Sequence, residues 1–329
     1  MKRLLLWSWP LLAAIGCLPA VAGDAWLLPT GYPAAYFQTQ NVARFADDVA
    51  AATAGRLRIE VRPGGQLLPL AQIRPAVEAG SVPLAEFNLS AEAAVDPAFG
   101  LDALPFVAQS YEDAELLWTI SRPLVERALR RRGLVLLYAV PWPPQGLYAG
   151  SPLARVGDLK GQRLRSYNPA TMQLARLLGA QPVEVPLVDL RAALAEKRVD
   201  LLLTSATSGV EVRAWEFLKH YYDVRAWYPK NVVVANAQAL AALPAADRQA
   251  LLDAAAAAER RGWQASRSQD GADRGQLAAH GLRVDNVSPE FAAALQRAGE
   301  SLVRAYLRSA GSDVLDVLLA YNLRRPPGR

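Results

Sequence analysis

From residue 25 onward, short apolar stretches alternate with longer amphipathic ones, the rhythm of strands and helices in a mixed α/β chain. Ala25–Pro29, Leu57–Val61 and Leu134–Val140 read as strands. The second alternates apolar and polar residues. The third is apolar throughout, as expected of a strand covered on both faces. Helical spacing predicts helices from Asn41 to near Gly55, over Ile73–Ala79, and over Glu112–Arg131. In the last of these Leu116, Leu117, Ile120, Leu124 and Val125 share one face.

The second half of the chain opens with a clearer unit. Arg163-Leu-Arg165 alternates as a strand, and Asn168-Pro169 ends it. A helix from near Ala170 buries Met172, Leu174, Ala175, Leu177 and Leu178, and Gly179 is its stop. Pro182–Val185 completes a βαβ unit. A short helix at Leu190–Ala195 and a strand at Val199–Leu203 follow, then a polar loop, Thr204–Ser208. Asn231–Ala235 and Gly281–Val284 read as later strands. Pro244 to about Ala279 has no internal proline and predicts one helix of ~35 residues, ~50 Å long. A break near Gly271 would divide it in two. Helices at Pro289–Ser309 and Val314–Leu323 finish the chain.

The first 22 residues have a different pattern. Lys2-Arg3, the apolar run Leu4–Ile15 and Ala20-Val-Ala22 form a secretory signal peptide pattern, with cleavage expected after Ala22. The run is shorter than the roughly 20 residues that span a bilayer. Ala14-Ile-Gly-Cys17 as a lipoprotein site ranks second, because it lacks a large aliphatic residue three positions before the cysteine. Export to the periplasm is the expectation.

Cys17 is the only cysteine, so a mature chain would hold no disulfide and no thiolate. Setting aside Lys2 and Arg3 leaves 34 basic against 31 acidic residues, too balanced for a nucleic-acid binder. His220 and His280 are the only histidines and have no metal-ligand spacing. There is no Gly-x-Ser-x-Gly and no phosphate loop, and Glu86 and Asp200 stand unpaired. These absences argue against an enzyme. The βαβ unit puts Arg165 at the carboxyl end of a strand, facing a helix N-terminus. A guanidinium there suits a carboxylate, through its two-pronged fork and the helix dipole. From spacing alone, a surface arginine on a strand end is the preferred reading.

Leu159-Lys-Gly-x-x-Leu-Arg165, the helix ending Leu-Gly-Ala180, x-Pro182-x-x-x-Pro186 and Ala193-Leu-x-x-x-x-Val199-Asp200 resemble the solute-binding proteins of TRAP (tripartite ATP-independent periplasmic) transporters, of the DctP type. Thr53-x-Gly55-Arg56, Pro63-Gly-Gly-Gln-Leu67 and Ala79-Gly80 extend the resemblance toward the N-terminus. It implies a two-lobed periplasmic-binding-protein fold, type II-like, with a long C-terminal helix bracing both lobes. The expected division places 23–140 and 231–265 in the first lobe, and 141–230 and 266–329 in the second.

The resemblance also implies a small organic acid as ligand and the membrane subunits of a TRAP permease as partners, with no nucleic acid and no cofactor. A metal ion bridging ligand and protein is left open. Arg165 matches the arginine that salt-bridges the substrate carboxylate. Tyr32 and Phe37, with Tyr36, fall in the loop that meets ligand, and Asn88 falls near a contact residue. Thr204 stands where most relatives have a substrate-touching asparagine, with Ser205 and Thr207 beside it. Trp142, Gln145 and Tyr148 belong to the crossover between lobes, and Asn168 and Trp227 complete the candidate set. Many relatives carry a second arginine just after the crossover strand, where this chain has Gly146-Leu-Tyr148. That departure favours a monocarboxylate with an apolar or aromatic body over a diacid. An envelope enzyme and a partner of a membrane sensor are the alternatives.

Overall fold

A computed structural model describes residues 25–326, and the leader expected at 1–22 lies outside them. The strands are β1 (Trp26–Pro29), β2 (Ile59–Arg62), β3 (Leu84–Asn88), β4 (Leu134–Pro141), β5 (Gln145–Ala149), β6 (Arg163–Ser166), β7 (Gln181–Glu184), β8 (Leu201–Ser205), β9 (His220–Tyr222), β10 (Lys230–Asn236) and β11 (Arg283–Asp285). The helices are α1 (Phe37–Ala52), α2 (Leu70–Glu78), α3 (Tyr111–Arg130), α4 (Pro169–Leu177), α5 (Leu190–Ala195), α6 (Ala206–Glu211), α7 (Ala237–Ala242), α8 (Ala245–Ala279), α9 (Pro289–Ala310) and α10 (Ser312–Arg324).

Three sheets build two lobes. In the first, parallel β1–β2 joins antiparallel β3–β10–β4 through the single bridge Thr30–Glu86. In the second the order is β11-β9-β5-β8-β6-β7, with β6 parallel to both β7 and β8. The chain crosses between lobes at Trp142–Pro144 and again at 223–229. The two crossovers are laced together. The Trp142 N–H donates to the Pro229 carbonyl at 2.8 Å, and the Gln145 N–H to the Trp227 carbonyl at 3.0 Å. One apolar core runs from α2 and α3 into the second lobe through Leu147, Leu164, Leu174 and Leu203.

α8 is unbroken, with nothing obstructed at Gly271. It packs on α1 and β4 of the first lobe and on α6 and β11 of the second. Gly262 sits where α8 crosses β4, and a Cβ there would collide with the Val140 side chain. Only the smallest residue lets helix and sheet approach so closely.

Some expectations change. Thr204–Ser208 is not a loop: Thr204 and Ser205 end β8, and α6 starts at once, because the Ser205 Oγ accepts the Ser208 N–H at 3.1 Å and caps it. Gln145–Ala149 is a strand, buried on both faces, so no alternation advertised it. The last helix, α10, packs on α3 and on α9.

Candidate functional site

Between the lobes lies a cavity of about 330 Å³. The first lobe and the crossover contribute Tyr32, Leu70, Asn88 and Trp142. The second lobe contributes Arg165, Tyr167, Asn168, Met172, Thr204 and Ser208.

Arg165, next to last in β6, is 3 % exposed. Its Nε donates to the Val185 carbonyl at 2.8 Å, which aims the two terminal nitrogens away from β7. The guanidinium lies 4.5 Å from the Tyr167 ring centroid, a cation–π contact. No carboxylate among the described residues pairs with it, and burial alone pulls it down to about 10. A buried cation without a counter-charge is held at a cost, which an anion entering the cavity would offset.

The neighbouring helix start is also prepared. Asn168 caps α4, its Oδ1 accepting the Thr171 N–H at 2.8 Å, with Pro169 at the first helical position. Its Nδ2 donates to the Ser90 Oγ at 2.9 Å, and that hydroxyl donates to the Asn88 Oδ1 at 2.7 Å. This chain of three side chains joins the lobes across the cavity.

Arg165, Asn88, Trp142, Gln145, Asn168, Thr204 and Tyr32 all line the cavity. Four other candidates do not. Phe37 opens α1 and turns into the core, edge-on to Trp142 at 5.5 Å. Tyr148 points away, packed on Tyr221 at 4.7 Å with its hydroxyl on the Ser205 carbonyl, in a space kept open by Gly209. Ser205 is spent on the α6 cap. Trp227 is fully buried and gives its Nε1–H to the Tyr167 hydroxyl at 2.9 Å.

Tyr167 itself was missed. Its hydroxyl donates to the Gln145 Oε1 at 3.0 Å, so the ring under the anchor is tied to both crossovers. Tyr167 lies just past the end of β6, and its role rests on contacts with residues distant in sequence. Met172, assigned to the core, and Ser208 also reach the cavity.

Burial pushes the Glu211 carboxyl, on α6, up to about 9. A carboxyl raised in the folded state binds its proton more tightly there than in the unfolded chain. Its contribution to stability therefore falls as pH rises from the ordinary carboxyl range toward 9. Glu211→Gln, which cannot titrate, should match the wild type near pH 5 and melt higher than it at pH 8.5. Thermal melts at the two pH values check this, and a difference that does not grow with pH refutes it.

Among the described residues no group of three or more His, Cys, Asp or Glu side chains is placed to hold a metal ion. No helix there is long and apolar enough to cross a membrane.

Comparison with known proteins agrees with this geometry. The family described as bacterial extracellular solute-binding protein, family 7 (DctP) matches residues 30–309. Two solved structures from Bordetella pertussis, DctP7 and DctP6, are extracytoplasmic solute receptors binding pyroglutamic acid. DctP7 is 40 % identical with TM-score 0.89, over 91 % of this chain and all of that one. DctP6 is 35 % identical with TM-score 0.90, over 92 % of this chain and all of that one. A TRAP solute-binding protein from a marine metagenome, specific for pyroglutamate, is 36 % identical with TM-score 0.89, over 91 % of this chain and 99 % of that one. With its two lobes, its bracing helix and a receptor's rather than an enzyme's ancestry, the chain belongs to the DctP family of TRAP solute-binding proteins.

Proposed function

We propose that this protein is the periplasmic receptor of a TRAP transporter, that it binds a small cyclic monocarboxylate of the pyroglutamate type, and that it hands this acid to the membrane permease. The observation that carries the reading is Arg165, which is buried and, among the described residues, is unpaired with any carboxylate and is the only cation lining the cavity. One guanidinium suits one carboxylate. Two acids, Glu92 and Glu184, also line the cavity, and Glu92 is already paired with Arg74 at 2.7 Å. A second carboxylate on the ligand would meet no second cation. The side-chain amides of Asn88, Gln145 and Asn168 and the hydroxyls of Thr204 and Ser208 offer donors and acceptors for a lactam. Leu70, Trp142 and Met172 offer apolar surface to a ring. The three relatives at 35–40 % identity take pyroglutamate, which supports the same choice.

Thermal shift tests it. Ligand at ~1,000 times its Kd adds ~4 kcal/mol of stability, a rise of several degrees. Pyroglutamate should give such a rise, and succinate at the same concentration little. Diacids that outperform pyroglutamate would overturn the reading. Expressed with its first 22 residues, the protein should be recovered from the periplasmic fraction without them, and a chain retained in the cytoplasm would overturn the leader.

A further inference from the structure

Glu86 is a buried titratable group beside the site that makes no contact with the cavity itself. It sits on β3 at 1 % exposure. Across the antiparallel pair, Asn231 on β10 lies opposite Asn88, two residues along from the Glu86 position. The Asn231 Nδ2 donates to the Glu86 Oε1 at 2.9 Å. Its Oδ1 then faces the other way and collects three donors. These are the Trp142 Nε1–H at 2.9 Å, the Tyr32 hydroxyl at 3.3 Å and the Asn88 Nδ2 at 3.3 Å. All three donors belong to residues that line the cavity.

We infer that Glu86 is the positioning residue of the first-lobe wall: it fixes the orientation of the Asn231 amide, which holds Trp142, Tyr32 and Asn88 in register against the ligand. An amide can present either its oxygen or its NH₂ to the cavity side. Turned over, Asn231 would set NH₂ against the indole N–H and the Asn88 NH₂, donors facing donors in a dry interior. The carboxyl of Glu86 forbids that turn, because Oε1 accepts and would otherwise meet the Asn231 oxygen. Thr30, just past β1, pairs with Glu86 through a backbone bridge and steadies that stretch of β3 from behind. A carbonyl oxygen has two lone pairs, so three donors share it unequally. The two at 3.3 Å are the ones a ligand acceptor can draw away, and the indole at 2.9 Å stays as the fixed point.

This rests on the cavity being the carboxylate site proposed above, and the test separates the two. The Trp142 indole N–H resonance, assigned with Trp142→Phe, is followed in ligand-free ¹⁵N-labelled protein, and pyroglutamate affinity is measured by calorimetry. Glu86→Gln keeps an acceptor and should leave the resonance in place and affinity within about threefold. Glu86→Ala should move the resonance and weaken affinity about tenfold, the scale of a buried polar group losing its partner. Asn231→Ala removes the acceptor itself, should displace the resonance in the same way, and replaces Glu86→Ala if that variant does not fold. An unmoved indole resonance in Glu86→Ala, or a Glu86→Gln that displaces it as far as Asn231→Ala does, overturns the inference. If pyroglutamate binds none of the proteins, the ligand reading fails while the resonance still judges Glu86.

Discussion

Arg165→Ala is expected to weaken binding of the acid by about 100- to 1,000-fold, the usual cost of truncating one side of a buried charge pair. The protein should still fold. The guanidinium is buried with only a carbonyl and a tyrosine face beside it, so removing it relieves a desolvation cost in the ligand-free state. The melting temperature without ligand should stay level or rise while the ligand-induced rise disappears. That opposition separates an anchor from a structural arginine, whose loss would lower both. Arg165→Lys should recover little. Lysine keeps the charge but loses the fork, the bond to the Val185 carbonyl and the flat face that lies over Tyr167. Calorimetry showing unchanged affinity for Arg165→Ala would remove this residue from the site.

The anchor is one half of what a two-lobed receptor needs. A ligand stabilises lobe contact only by its difference in affinity for the two arrangements, so it must touch both lobes. Arg165 and Thr204 stand on the second lobe, while Tyr32 and Asn88 stand on the first. Tyr167 connects the anchor to the crossovers through Gln145 and Trp227. The position of the guanidinium is thus tied to the two segments about which the lobes would turn.

Most of this frame was legible in the residues, and the failures have common causes. The βαβ unit around Arg165 declared itself because each boundary has its own chemistry: Asn168 as cap, Pro169 after it, Gly179 at the stop. The long helix was legible because no proline interrupts it. β5 was not, because a strand buried on both faces shows no alternation, and Tyr148 was assigned to the wrong side for the same reason. Ser205 belonged to a family position rich in polar contacts, but a hydroxyl just before a helix caps it first. Tyr167 and Asn231 were passed over because neither carries charge. Their importance comes from pairings distant in sequence, with Trp227 and with Glu86, that local patterning does not encode.

The largest stability effect is expected under the second crossover, at Asp102. Lys230, the first residue of β10, is 1 % exposed and carries its ammonium between the Trp118 and Trp263 rings, at 5.6 Å and 5.9 Å. The Asp102 Oδ2 stands 3.9 Å from the ammonium and accepts the Lys230 backbone N–H at 2.7 Å. Asp102→Asn keeps an acceptor for that N–H but leaves the cation with only indole faces and the Tyr228 carbonyl. Breaking a buried pair from one side costs about 3 kcal/mol or more, which lowers the melting temperature by roughly 5–10 °C in a chain of this size. Lys230→Met should cost less. Burial already holds the Asp102 carboxyl up at about 6, so without its partner it takes a proton and becomes neutral. The cost of Lys230→Met should therefore be smaller at pH 5 than at pH 8, because the proton is supplied more readily at the lower value. The double variant, with no charge left to bury, should recover most of the loss. Denaturant melts of the three variants at both pH values decide the matter, and an Asp102→Asn no less stable than Lys230→Met would show that the two indoles alone suffice to hold the ammonium.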